Sequence, residues 1–118
     1  MKKIEAIIRK TKFEEVKEGL HKIGIEYLTF WDVRGVGKSV EERVYRGVTY
    51  DTSSIERTFI SFIVRDKFVD SCIVSIREKA FTGEIGDGRI FIYDVEDAYR
   101  IRTGHTGDRS LYDEEYQQ

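Results

Sequence analysis

The chain contains no proline. Every turn must then be made by Gly, Asp, Ser or Thr, so each of the 10 glycines is first of all a candidate turn-maker. Cysteine is nearly absent too: Cys72 alone excludes an internal disulfide and points to a reducing compartment. No apolar run reaches membrane-spanning length. The opening MKKIEAIIRK sets charges on both sides of a very short apolar stretch, which is not a signal-peptide pattern. A cytoplasmic protein without direct membrane insertion is the expectation. An excess of one charge is also missing. With 20 basic and 22 acidic residues, the net charge of -2 gives no ground for nucleic acid or an anionic membrane as partner. Metal-ligand spacings are absent (no CxxC, no HExxH, no acidic calcium loop), so the residues alone indicate no metal site. His21, His105 and Cys72 have no nucleophile or base near them in sequence, and no catalytic residue is expected.

What is present fits one domain of 118 residues, 40% hydrophobic and 36% charged. Residues 2–9 alternate as a buried strand, with Ile4, Ala6 and Ile8 on one face. Thr11 offers an N-cap, and Glu14 three residues later completes a capping-box pattern. Phe13, Val16, Leu20 and Ile23 then predict an amphipathic helix over 12–23, ended by Gly24. Residues 25–34 are rich in strand formers, and 35–56 break into a long polar segment without sustained periodicity. Order resumes as a strand over 58–64, an N-cap at Asp66, and a helix to about Ala80. Residues 90–95 and, more briefly, Tyr99 to Arg102 read as strands. The polar stretch from 105 to 118 reads as a frayed tail. The two halves echo each other: Arg9 and Lys12-Phe13 open one helix, Arg65 and Lys67-Phe68 the other. A split βαβ unit repeated twice predicts an α+β, ferredoxin-like βαββαβ sandwich with both helices on one sheet face. The other face then needs cover, so an oligomer is expected.

Two glycine segments stand out. GVGK (Gly35 to Lys38) follows a strand, and TGEIGDGR (Thr82 to Arg89) joins a helix to a strand. Neither has the spacing of a Walker A loop or a dinucleotide fingerprint. Both offer exposed backbone N–H groups that can line an anion-binding concavity beside a cation. In RIR, residues two apart on a strand share a face, so Arg100 and Arg102 point the same way. Two guanidiniums on one face repel unless an anion or carboxylate lies between them. Lys38, Arg89, Arg100 and Arg102 beside two glycine loops therefore fit a polyphosphate site. Turn glycines and surface arginines account for the same residues about as well.

These segments carry a resemblance to the PII nitrogen-regulatory signal-transduction proteins, over residues 1 to 104. MKKIEAIIR is similar to the family's opening strand, and YRG (Tyr45, Arg46, Gly47) followed by Tyr50 resembles the tip of its T-loop, here about residues 36–56. TGEIGDGRIF resembles the B-loop signature without a gap, and YRIRTG the C-loop. The resemblance implies a homotrimer that binds ATP or ADP in the clefts between subunits. It implies phosphate and nucleotide contacts from Gly86, Asp87, Gly88, Arg89, Arg100 and Arg102, and from Gly35, Gly37 and Lys38 at the base of the T-loop. Ile7, Thr29 and Ile63 match positions that contact the base or ribose. Arg57 matches a lysine that helps to bind 2-oxoglutarate. Ser39 stands where the family commonly has a glutamine that ligates the magnesium holding that effector. A serine is shorter and lacks the amide carbonyl, which sets Mg2+ and 2-oxoglutarate apart from ATP in the expectation. The tip reads YRGVTY, where the uridylylated family loop reads Y-R-G-A/S-E-Y; Tyr50 matches the modified tyrosine.

Three functions follow. The first is a regulatory protein whose nucleotide biases the T-loop, with Arg46 at the tip docking on a partner such as an ammonium transporter. The second is a PII-like sensor of another effector that regulates a different transporter or carbon process. The third, a nucleotide-hydrolysing enzyme, ranks lowest, because Asp87 is the one candidate base near the phosphates.

Overall fold

The computed structural model describes residues 1–36, 43–45, 48–50 and 56–112. Its elements are β1 (Lys2–Arg9), α1 (Phe13–Ile23), β2 (Thr29–Arg34), β3 (Arg43–Tyr45), β4 (Val48–Tyr50), β5 (Glu56–Val64), α2 (Val69–Ala80) and β6 (Arg89–Asp94). Four strands form one sheet in the order β2-β5-β1-β6, with each neighbouring pair antiparallel. With two helices crossing between its strands, this is the α+β, ferredoxin-like arrangement that the periodicities predict.

The core follows from strict alternation. Ile4, Ala6 and Ile8 of β1 and Thr58, Ile60, Phe62 and Val64 of β5 are buried on one sheet face. Against them pack Phe13, Val16 and Leu20 of α1 and Cys72, Ile76 and Ala80 of α2. Each fully buried isoleucine or leucine stabilises the fold by about 1.5–3 kcal/mol relative to exposure. The helices meet closely at Gly19, where a Cβ would lie 2.6 Å from the Ser75 hydroxyl. A one-residue slip of β1 would exchange its buried and open faces, so the register is fixed by the core. Across the other face, Trp31, Phe59, Ile7 and Arg89 form one row of register partners. Trp31 and Phe59 stack with ring centres 4.6 Å apart, and the Lys3 ammonium lies 4.6 Å from the Tyr93 ring centre. Neither helix covers this face.

Local details depart from the sequence reading. Thr11 caps nothing: a single 3-10 turn, Lys10–Lys12, leads into α1, and Arg9 precedes it without a side-chain cap. Asp66 likewise lies inside a 3-10 turn, Asp66–Phe68, and its carboxylate accepts a 2.9 Å bond from the Met1 ammonium instead. The segment 35–56 is not without pattern, since β3 and β4 pair as a two-stranded ladder with Tyr45 opposite Val48 and Arg43 opposite Tyr50. β-branched and aromatic residues in RVY and VTY favour that ladder.

β2 starts at Thr29, later than residue 25, for a reason that matters to the site. Gly24 ends α1 at φ 104°, its N–H donates to His21, and the Ile25 N–H reaches back to Leu20. This double closure uses Ile25 to finish the helix. Residues 25–28 then run apart from β5 instead of pairing with it, and a cleft opens between them. YRIR also fails as a strand: Tyr99 makes one bridge to Thr106, and the Gly104 N–H closes a turn on the Arg100 carbonyl at 2.8 Å. Order continues past residue 105 into a 3-10 turn, Gly107–Leu111, so the tail is tied down at least to Tyr112. Among the described residues, no helix is long and apolar enough to cross a membrane.

Candidate functional site

The loop from α2 to β6 is built around Asp87. Its carboxylate accepts the backbone N–H of Thr82 at 2.9 Å and of Gly83 at 3.0 Å, together with the Thr82 hydroxyl. Arg9 Nε, from the end of β1, donates to the same carboxylate at 3.2 Å. Desolvation pushes Asp87 up, but the Thr82, Gly83 and Arg9 bonds together outweigh it and hold the carboxyl well below the usual range. Gly88 is fixed twice over. It has φ 101°, and a Cβ there would lie 1.7 Å from the Ile7 carbonyl oxygen. The loop therefore runs against the backbone of β1, and Arg89 starts β6 opposite Ile7.

Beside this loop two guanidiniums converge. The Gly86 position faces Arg57 Nη2 at 3.0 Å and Arg9 Nη2 at 3.2 Å from where a Cβ would stand. Arg9 also donates to the Ile85 carbonyl at 3.0 Å. Burial, then the Arg9 charge, lower the Arg57 guanidinium from its ordinary value. Carboxylates balance the neighbouring corner, where Lys10 donates to Asp32 at 3.2 Å and to Glu56 at 3.5 Å. Arg34 reaches Glu56 from the end of β2 at 4.0 Å. The roots of the segment between β2 and β5 are thus joined by ion pairs.

The second feature is the cleft opened by the short β2, with a volume of about 830 Å³. Thr29, Ile63, Arg100 and Arg102 line it, so four of the predicted site residues meet here. Arg100 and Arg102 share this lining although they stand on a turn and not on a strand.

The predicted residues thus fall into two groups. Ile7, Gly86, Asp87, Gly88, Arg89 and Arg57 cluster where β1 meets β6. Thr29, Ile63, Arg100 and Arg102 lie across the sheet, on the outer side of β5. Ile63 pairs with Lys3 and Arg89 with Ile7. That offset of four residues is about 13 Å along β1. Gly35 lies just beyond β2, where a Cβ would meet none of the described residues within 4 Å apart from its chain neighbours. Gly37, Lys38, Ser39, Arg46 and Gly47 fall outside the described residues, and Tyr45 and Tyr50 lie on the β3–β4 ladder.

Sequence reasoning gave no role to Arg9, Arg65 or Tyr112. Arg9 braces the glycine loop, and Arg65 lies 3.6 Å from Asp108. The echo between the two helix starts was the available signal for both arginines. Nothing local marked Tyr112, which lines the cleft.

A family model described as "Nitrogen regulatory protein P-II" matches residues 1–105. Relatives under the same description include one from Rhodospirillum rubrum, 44% identical over 108 residues, 91% of this chain and 96% of its own. The Haemophilus influenzae protein is 44% identical over 112 residues, covering 94% of this chain and all of its own. "Nitrogen regulatory protein P-II 1" of Escherichia coli is 40% identical over 112 residues, with the same coverage.

Proposed function

The chain belongs to the nitrogen regulatory protein P-II family, and from that premise we propose that it is a signalling protein that binds ATP or ADP between the subunits of a homotrimer. The segment of about 36–56 then acts on a nitrogen-metabolism partner such as an ammonium transporter. A nitrogen-regulatory role follows from the family; the nucleotide, the trimer and the partner are the proposal.

One observation carries it. The residues that suit a polyphosphate sit in two groups at diagonal corners of a single chain, about 13 Å apart along β1. Each group is incomplete: one has the glycine loop and Arg89, the other Arg100 and Arg102 over a cleft. A neighbouring copy joins the two halves into one site. The uncovered face with Trp31, Phe59 and Ile7 supplies the apolar surface for such an assembly. Arg89, Arg100 and Arg102 suit phosphate oxygens through charge-assisted bonds, and Gly88 holds the glycine loop, with Arg89 beside it, against β1. Asp87 does not serve as a general base, because its carboxylate is committed to the loop and to Arg9. That speaks against the hydrolase reading.

Calorimetric titration with ATP tests the site. Arg89→Ala and Arg100→Ala should each lose most of the affinity while the assembly stays intact; unchanged affinity in both would refute it.

A second reading, a sensor of an effector other than 2-oxoglutarate, is favoured by Ser39 alone. Arg57 beside Gly86 and Arg9 keeps a cationic corner suited to a carboxylate. Titration with ATP, magnesium and 2-oxoglutarate separates the two readings, because only the 2-oxoglutarate sensor gives a synergistic response.

A further inference from the structure

The cleft beside β5 has a wall made by residues at and just after the end of the 3-10 turn that follows the Tyr99–Thr106 bridge. Ser110, Leu111 and Tyr112 line it together with Arg100 and Arg102. They reach it because the chain after the Tyr99–Thr106 bridge is tied back on itself. The Gly107 N–H bonds to the Ala98 carbonyl and to the Asp97 carboxylate, both at 3.0 Å. The Ser110 hydroxyl donates to the Gly107 carbonyl at 2.6 Å. Arg65 completes the attachment from the end of β5. Its Nε lies 3.6 Å from Asp108, and its guanidinium carbon is 5.4 Å from the Tyr112 ring centre. Arg109 approaches the same ring at 5.1 Å.

We propose that Ser110–Tyr112 is a working wall of the nucleotide cleft: Leu111 and Tyr112 receive the nucleoside end of the ligand, and Arg65 is the positioning residue that holds them. The proposal rests on the nucleotide reading given above. The chemistry of the lining separates the two ends of such a ligand. Arg100 and Arg102 suit phosphates. Tyr27, Leu28 and Ile63, with Leu111 and Tyr112, offer apolar and aromatic surface that a phosphate chain cannot use. A flat, largely apolar base can use it. The cations at the Tyr112 ring limit its orientations before any ligand arrives, which reduces the entropy lost on binding.

The full chain is titrated by calorimetry with ATP and, separately, with inorganic tripolyphosphate. Tyr112→Ala should weaken ATP binding about tenfold and leave tripolyphosphate within about twofold. Tyr112→Phe should restore ATP affinity. Asp108→Asn, which removes the charge facing Arg65, should weaken ATP by about threefold and leave tripolyphosphate unchanged. Arg102→Ala should weaken both ligands. The wall is overturned if Tyr112→Ala leaves ATP unchanged, if it weakens both ligands alike, or if Tyr112→Phe fails to restore affinity. A parent protein that does not bind ATP, or that is indifferent to Arg102→Ala, refutes the nucleotide reading itself and the wall with it.

Discussion

Arg9 and Arg65 occupy the same point in the two βα halves of the chain. Each is the extended residue before a 3-10 turn and a helix, with φ/ψ of -63°/135° and -69°/149°. Each guanidinium leaves its own half to meet a carboxylate from later in the chain. Arg9 meets Asp87 at 3.2 Å and Arg65 meets Asp108 at 3.6 Å. Equivalent arginines therefore brace both halves of the candidate site.

Asp87→Asn should loosen the glycine loop. Loss of the charge weakens the bonds from Thr82, Gly83 and Arg9, and a charge-assisted bond of this kind is worth about 1.5–3 kcal/mol. The effect should depend on pH. The folded carboxyl titrates below its unfolded value of about 3.9, so its contribution is complete above that value. It is lost as pH falls toward the folded pKa, because the unfolded chain binds the proton first. Urea unfolding at pH 3 and pH 6 should show a steeper loss of stability on acidification in the parent than in the variant. Equal slopes would contradict the brace.

Gly88→Ala should be far more damaging than Gly35→Ala. At Gly88 the left-handed backbone alone costs an alanine about 1–3 kcal/mol, and its Cβ meets the Ile7 carbonyl oxygen at 1.7 Å. At Gly35 a Cβ would meet no atom within 4 Å among the described residues beyond its chain neighbours. Thermal denaturation of the two variants decides the matter: similar melting temperatures would mean that the loop does not press on β1 in solution.

Cys72 should be inert in the folded protein. It is buried on the apolar face of α2, and desolvation pushes its thiol up to about 11. Iodoacetamide at pH 8.5 should label it only after denaturation. The sign of the linked pH effect is the reverse of that for Asp87. The unfolded thiol ionises from about pH 8.5 while the folded one holds its proton, so this group lowers stability as pH rises toward 11. Cys72→Ala should flatten that part of the stability profile.

Mixing subunits tests the division of the site between copies. In rings assembled from Arg89→Ala and Arg100→Ala chains, one interface combines an intact glycine-loop half with an intact arginine-turn half. Refolding the two variants together should recover ATP binding that neither has alone. If co-refolded rings form and bind no nucleotide, the two halves do not belong to one site.

Much of the fold was legible because it depends on local period. The alternation of Ile4, Ala6 and Ile8 and the helical spacing from Phe13 to Leu20 specify which face is buried, whatever lies opposite. The capping patterns at Thr11 and Asp66 misled because a 3-10 turn precedes each helix, and Asp66 found the Met1 ammonium as a partner. The YRIR alternation misled because, among the described residues, no strand lies alongside it beyond the single bridge at Tyr99.

By itself, the sequence determined the two βα units, their buried faces and the residue types suited to a polyphosphate. Those properties are written in neighbours a few residues apart, where backbone geometry and hydrophobic burial act directly. Only the tertiary structure decided that Arg9 braces Asp87, that the early departure of residues 25–28 opens a cleft, and that Tyr112 walls it. Each of these depends on a contact between distant parts of the chain. Such contacts have no local period to reveal them, and they form only once the sheet has set the register.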